Sequence, residues 1–334
     1  MVAKVAVLGA GSFGTALSAV LLRGGNEVSL WCYEPGHADE VNAQGRNSRY
    51  MTEFELPGLR ATARLDEAVD GASMVLFVSP SHVTRALARD VRDFLSPGTL
   101  LVCASKGIEA GGETMDEVLR AELPAHCHEE LAFISGPSFA REVLEGQPTA
   151  VVVASRRLEV AERVQKAFSG PSFRVYTTGD VVGVELGGAV KNIIAIAAGC
   201  GDGLGFGHNV RAAVITRGLA EMSRLGAAKG ADPLTFMGLA GMGDLVLTCT
   251  GDLSRNRRVG LGLGKGMTLA EVTESLGGQV AEGVKTTAST YKLAQRIGLD
   301  MPLVTAMHEL LYDGRPAREL ALSLMERPLK HELD

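Results

Sequence analysis

A chain of 334 residues has room for about two domains, each able to bury its own core without disulfides or metals. Apolar residues make up 46% and charged residues 22%, which excludes wholesale disorder. The net charge of −6 and an aromatic content of 5% argue against nucleic acid as the main partner. There is no basic excess to neutralise phosphates and few rings on which bases could stack; a local phosphate site stays open.

The five cysteines, at 32, 103, 127, 200 and 249, are odd in number and form no CxxC pair. They read as isolated thiols of a reducing compartment, which points to the cytoplasm. The N-terminus runs straight into a strand-like segment with no charged region ahead of an apolar core, so no signal peptide is expected. The most apolar later stretch, 192–201, is far shorter than a membrane span. His126-Cys127-His128 has no partner cluster at ligand spacing, so it reads as a solvated loop and no metal is expected.

In chain order, apolar β-rich runs at 2–8, 28–33, 74–78, 100–104, 131–134 and 150–154 lack polar alternation, as strands buried on both faces do. Helical spacing occupies the gaps, as at 15–23 and 82–94. This alternation predicts a parallel, doubly wound α/β sheet of the Rossmann type. From Asp180 onward only helices are expected: 182–198, 210–229, 269–276, 288–297, 303–312 and 317–325. The predicted division is a dinucleotide-binding domain at 1–179 and an all-α substrate domain at 180–334.

Gly9-Ala10-Gly11-Ser12-Phe13-Gly14 follows the first run and opens a helix. Such glycines permit the tight turn, admit a pyrophosphate to the backbone and let helix and strand pack closely. The anion then sits at a helix N-terminus. Glu34, 20 residues beyond Gly14, falls just after the second run, where a ribose 2′-hydroxyl partner belongs. Together these predict NAD or NADP binding. The acid leans toward NAD; Tyr33 beside it is uncharged, and Arg46 and Arg49 downstream read more simply as solvated cations.

Five further segments are polar where a core would not be. Lys106 and the run Ser135-Gly136-Pro137-Ser138-Phe139-Ala140 leave strand ends, where open α/β sheets bind ligands. Lys191 and Asn192 interrupt an apolar helix. Asp244 lies in an apolar loop. Ser254 looks like the N-cap of a helix carrying Arg255, Asn256, Arg257 and Arg258. His82, after the third run, could line the cofactor cleft.

With GAGSFGTAL at 9–17, SKG at 105–107, SGPSFA at 135–140, GGAVKN at 187–192, ITRGLAEMSRLG at 215–226, GMGDLVLTCT at 241–250, SRNRR at 254–258 and AEG at 281–283, the chain resembles the bacterial NAD(P)-dependent glycerol-3-phosphate dehydrogenases over nearly its whole length. The resemblance implies a Rossmann domain followed by a helical domain. It also implies reversible reduction of dihydroxyacetone phosphate to sn-glycerol 3-phosphate, the backbone of glycerophospholipids. It implies that Lys191 is the proton acceptor, that Lys106 is a second active-site lysine near substrate and cofactor, and that Asp244 is the substrate-domain acid. Gly136 and Ser138 are implied at the substrate loop, and Ser254, Arg255 and Asn256 at the substrate phosphate. Ser12, Phe13, Tyr33, Ala140, Arg255, Val280 and Glu282 are implied as cofactor contacts. The family often has a basic residue or His at position 33, from which Tyr33 departs.

The residue types suit that chemistry on their own terms. Hydride reduction of a ketone needs a proton for the developing alkoxide. A lysine desolvated near a second cation has a lowered pKa and can supply or remove it. Arg255 offers a fork matched to phosphate, and Asn256 with the helix N-terminus adds donors. Two other readings stand beside this one. A β-hydroxyacid dehydrogenase shares the two-domain plan and would direct the same segment at a carboxylate. A dinucleotide sensor would bind cofactor without turnover. The helical half could supply a homodimer surface, but no single face is legible in the sequence.

Overall fold

The computed structural model describes residues 3–277, 281–329 and 331–332. Eight strands form one sheet: β1 (Lys4–Leu8), β2 (Glu27–Trp31), β3 (Arg60–Thr62), β4 (Met74–Phe77), β5 (Leu100–Cys103), β6 (Leu131–Ser135), β7 (Thr149–Ala154) and β8 (Phe173–Thr178). The helices among them are α1 (Ser12–Arg23), α2 (Pro35–Gln44), α3 (Leu65–Val69), α4 (Ser81–Val91), α5 (Met115–Glu122), α6 (Ala140–Leu144) and α7 (Leu158–Phe168). The sheet order is β3-β2-β1-β4-β5-β6-β7-β8, which reverses direction between β1 and β4. Successive side chains of a strand point to opposite faces. Val5 and Val7 accordingly join one core with Leu30, Leu76 and Val102, while Ala6 and Leu8 join the other with Val75, Phe77 and Leu101. Both faces are covered, which explains the unbroken apolar runs.

Two strands escape a search for such runs. β3 has three residues, and β8 is the sheet edge, reading FRVYTT with Arg174 and Tyr176 exposed. The expectation of a fully parallel sheet also needs correction. β7 runs antiparallel to β6, with Ser135 opposite Val152, while every other pair is parallel. The segment 136–148 between them carries only the short helix α6, five residues long.

Beyond Thr178 the described chain forms no further strand. Its helices are α8 (Val181–Gly203), α9 (His208–Ala228), α10 (Asp244–Thr250), α11 (Arg255–Gly264), α12 (Leu269–Ser275), α13 (Glu282–Ile297), α14 (Pro302–Tyr312) and α15 (Ala317–Met325). α8 is the axis of this half, with α9, α10, α11, α13 and α14 around it. It starts where Asp180 Oδ1 accepts the Gly183 amide at 2.9 Å. At 23 residues it is longer than the apolar stretch read from the sequence, and it is long and apolar enough to cross a membrane. Nearly all of it is buried inside the protein, so here it is a core helix. α8 and α11 touch backbone to backbone: a Cβ on Gly260 would lie 1.9 Å from the Ile196 carbonyl oxygen. That approach sets the start of α11 against the middle of α8.

Candidate active site

The glycine turn after β1 sits at the reversal point of the sheet. Gly9 has φ +133°, and a Cβ there would lie 2.6 Å from the Val78 carbonyl oxygen just after β4. A Cβ on Gly14 would lie 1.9 Å from the Gly9 carbonyl oxygen. The protein itself thus requires the first and third glycines. The second, Gly11, faces open space. It is the N-cap of α1, whose first turn has neither a capping side chain nor an acid. Free amide donors at the positive end of a helix, with room before them, fit a pyrophosphate. Ser12 and Phe13 form that first turn. Phe13 and Ala140 pack, half-buried, against the sheet core.

Tyr33 and Glu34 lie past the end of β2. Tyr33 is 80% exposed and meets Trp31 edge-on. Glu34 is the N-cap residue of α2, which begins at Pro35. Its carboxylate stands 3.7 Å from the Arg49 guanidinium, so Arg49 is not simply solvated.

Across the cleft, Asp244 is the first residue of α10, which continues directly from a wider helical turn at Leu239–Gly243. Its Oδ1 lies 2.5 Å from Lys191 Nζ on α8, and its Oδ2 lies 2.8 Å from Lys106 Nζ after β5. Side-chain exposures are 2% for Asp244, 8% for Lys191 and 16% for Lys106. One carboxylate between two ammonium groups leaves the cluster with one excess positive charge. Burial pushes Lys191 down to about 8; Asp244 opposes that shift and Lys106 adds to it. Burial alone would raise Asp244, but the two lysines outweigh it and hold the carboxyl below its ordinary value. Lys106 Nζ also donates to the Gly136 carbonyl at 3.2 Å and lies 5.6 Å from the centre of the Phe13 ring. Ser138 Oγ donates to that same carbonyl at 2.9 Å.

The start of α11 meets this cluster through Asn192. Asn256 Nδ2 donates to Asn192 Oδ1 at 2.9 Å, and Asn256 Oδ1 accepts the Gly283 amide at 2.9 Å. Asn256 therefore ties α8, α11 and α13 together and keeps only one amide hydrogen for a ligand. Ser254 caps α11 as its sequence suggests, accepting the Arg257 amide at 3.2 Å. Arg257 turns away to Asp202 and Asp252. Arg255 differs: it is an exposed residue, and no hydrogen bond or ion pair among the described residues engages its guanidinium. Desolvation of that group by the surrounding chain lowers its pKa, while Glu282 and Tyr50 pull the other way. Glu282 begins α13 and accepts a hydrogen bond from Ser81 Oγ of α4 at 2.7 Å, linking the two halves. Val280 lies outside the described residues.

Three residues here escape the sequence reading. Thr248 Oγ1 accepts from Lys191 Nζ at 3.0 Å and donates to the Asp244 carbonyl at 2.6 Å. Its spacing of four from Asp244 within one helix was an available signal. Ser81 and the buried Asn47 hold contacts that join distant segments, and nothing local announces them.

Open α/β sheets bind ligands outside the strand ends at such a reversal point. A buried lysine of lowered pKa across that cleft is equipped to exchange the proton that accompanies hydride transfer to a carbonyl. The class is an NAD(P)-dependent dehydrogenase. Residues 4–161 match the model of the NAD-dependent glycerol-3-phosphate dehydrogenase N-terminus and residues 180–321 that of its C-terminus, and the chain belongs to this family. A glycerol-3-phosphate dehydrogenase [NAD(P)+] of Geobacter metallireducens is 54% identical over 331 residues, covering 98% of each chain. That of Nitratidesulfovibrio vulgaris is 52% identical, covering 98% of this chain and 100% of its own. The crystal structure of glycerol-3-phosphate dehydrogenase from Coxiella burnetii superimposes with a TM-score of 0.93 at 41% identity, covering 98% of this chain and 99% of that one. A ketopantoate reductase from Ralstonia eutropha, at 19% identity and TM-score 0.60, shares the fold.

Proposed function

We propose that this chain catalyses the reversible, NAD(P)H-dependent reduction of dihydroxyacetone phosphate to sn-glycerol 3-phosphate, with Lys191 as the proton-exchanging residue. The observation that carries the reading is the buried Lys106–Asp244–Lys191 cluster, whose Lys106 Nζ lies 5.6 Å from the centre of the Phe13 ring beside the glycine turn that fits a dinucleotide. A nicotinamide held at the glycine turn would supply or accept the hydride. Lys191 gives its proton to the developing alkoxide in reduction and, as the free amine, accepts the hydroxyl proton in oxidation. Asp244 fixes both ammonium groups and limits their repulsion. Lys106 brings positive charge to the carbonyl oxygen, with Gly136 and Ser138 shaping the loop beneath it. Arg255, unengaged by the protein, takes the substrate phosphate bidentately and faces the cofactor beside Glu282. Ser254 and the remaining amide hydrogen of Asn256 add donors there.

In this reading residues 1–179 bind the cofactor through Gly9, Gly11, Ser12, Phe13, Gly14, Tyr33, Glu34 and Ala140, and residues 180–334 bind the substrate. The five free thiols suit a cytoplasmic enzyme, and a homodimer would form through the helical half. The deciding assay offers NADH with dihydroxyacetone phosphate and, separately, with β-keto acids. Turnover of the phosphate alone supports the proposal. Turnover of the acids alone assigns the segment at Arg255 to a carboxylate, and cofactor binding without turnover of either leaves a sensor.

A further inference from the structure

Position 33 carries no charge in this chain, yet a cation does reach the end of β2. It comes from the loop after α2. Asn47, fully buried, fixes that loop to the glycine turn. Its Nδ2 donates to the Ala10 carbonyl and to Thr15 Oγ1, both at 2.8 Å. Its Oδ1 accepts the Arg49 and Tyr50 amides, each at 3.0 Å, and lies 2.9 Å from His37 Nε2. Because Nδ2 is committed to two acceptors, Oδ1 is the acceptor and His37 donates. The Arg49 backbone is thereby held in register with the turn expected to take the pyrophosphate.

The Arg49 side chain, by contrast, is suspended between two acids. Nη1 is 3.7 Å from Glu34 and Nη2 is 3.3 Å from Glu40. Neither contact is bidentate, and all three groups are about half exposed, so exchanging one anion for another costs little. Arg46, three residues earlier, turns toward Gln44 instead at 3.4 Å. We propose that Arg49 is the residue through which this enzyme accepts NADPH as well as NADH: it pairs with Glu34 when the ribose is a free 2′-hydroxyl and swings to the 2′-phosphate when one is present. The inference rests on the cofactor placement proposed above. In the first arrangement Glu34 accepts a hydrogen bond from the hydroxyl. In the second, Arg49 leaves Glu34 and offers its fork to a group carrying up to two negative charges. Two carboxylates around one guanidinium keep this rim net negative, so NADH is the better ligand and Arg49 makes NADPH tolerable.

The test is direct nucleotide binding, read from NADH and NADPH fluorescence with no substrate present. Failure of the substrate assignment therefore leaves the test intact, since that would appear separately as absent turnover with intact nucleotide binding. For Arg49→Ala the ratio of Kd for NADPH to Kd for NADH rises by about tenfold or more, the scale of a lost charge-assisted hydrogen bond. Arg49→Lys, which keeps the charge but not the fork, gives a smaller rise. Glu34→Gln moves the ratio the other way. If Arg49→Ala weakens both nucleotides by one factor, or changes neither, the ratio stays put and the proposal is overturned.

Discussion

Lys191 Nζ rests 2.5 Å from Asp244 Oδ1, with both side chains almost wholly withdrawn from solvent. An ion pair this buried ordinarily keeps a lysine charged. Here burial and the neighbouring Lys106 outweigh the carboxylate, and the ammonium loses its proton near 8.

A pH dependence follows with opposite sign in the two directions. Glycerol 3-phosphate oxidation needs the free amine, so its kcat/KM rises with pH and levels off above about 8. Ketone reduction needs the ammonium, so its kcat/KM is level below that value and falls above it. Asp244→Asn removes the group that raises Lys191, so the inflection moves to lower pH in both directions. Initial rates across the neutral and alkaline range check this; profiles with no inflection near 8 would assign the proton to another group.

Arg255→Lys keeps the charge and loses the fork. Arg255 stands one residue inside a helix capped by Ser254, so its backbone cannot re-aim to compensate. Each lost charge-assisted hydrogen bond costs about 1.5–3 kcal/mol. KM for dihydroxyacetone phosphate therefore rises at least tenfold, while the slow rate on unphosphorylated dihydroxyacetone hardly changes. Equal losses on both would place Arg255 with the cofactor alone.

Stability has its own titrating group away from the cleft. The N-cap residue of α14 is Met301, which has no side-chain oxygen to offer. Glu221 of α9 fills that role from another helix, accepting the Leu303 amide at 2.7 Å and the Val304 amide at 3.3 Å. Burial nonetheless raises its carboxyl to about 7. Between an unfolded value near 4.5 and that folded value the native state holds the extra proton, so this group's contribution falls as pH rises through the window. Glu221→Gln removes this slope from urea-unfolding free energies measured from pH 5 to 8. Glu221→Ala leaves two amides unpaired and costs about 1–3 kcal/mol. An unaltered slope in the Gln variant would move the titration elsewhere.

The sequence made the sheet half legible where strands are buried on both faces, because continuous apolar runs say so directly. It was silent at β3 and β8, where three residues or an exposed edge leave no such run. The antiparallel β7 was hidden because an apolar run buried on both faces reads the same in either direction. Lys191 stood out as a cation in an apolar helix, and Asp244 as an acid in an apolar loop. Their meeting across 53 residues is tertiary, as are the Ser81–Glu282 link and the anchoring of Asn47 to Ala10 and Thr15. Asn256 shows the opposite case: its segment reads as phosphate-binding, while its side chain is largely spent on joining three helices.

The most direct test of the account is the turnover number of Lys191→Ala with NADH and dihydroxyacetone phosphate, measured beside its affinity for NADH. The ammonium does not belong to the glycine turn proposed to hold the cofactor, so NADH should bind nearly as in the parent enzyme. Losing the proton donor should lower kcat by about 10²–10⁴-fold. Near-parental turnover in a variant that folds and binds NADH would remove Lys191 from the reaction and contradict the mechanism.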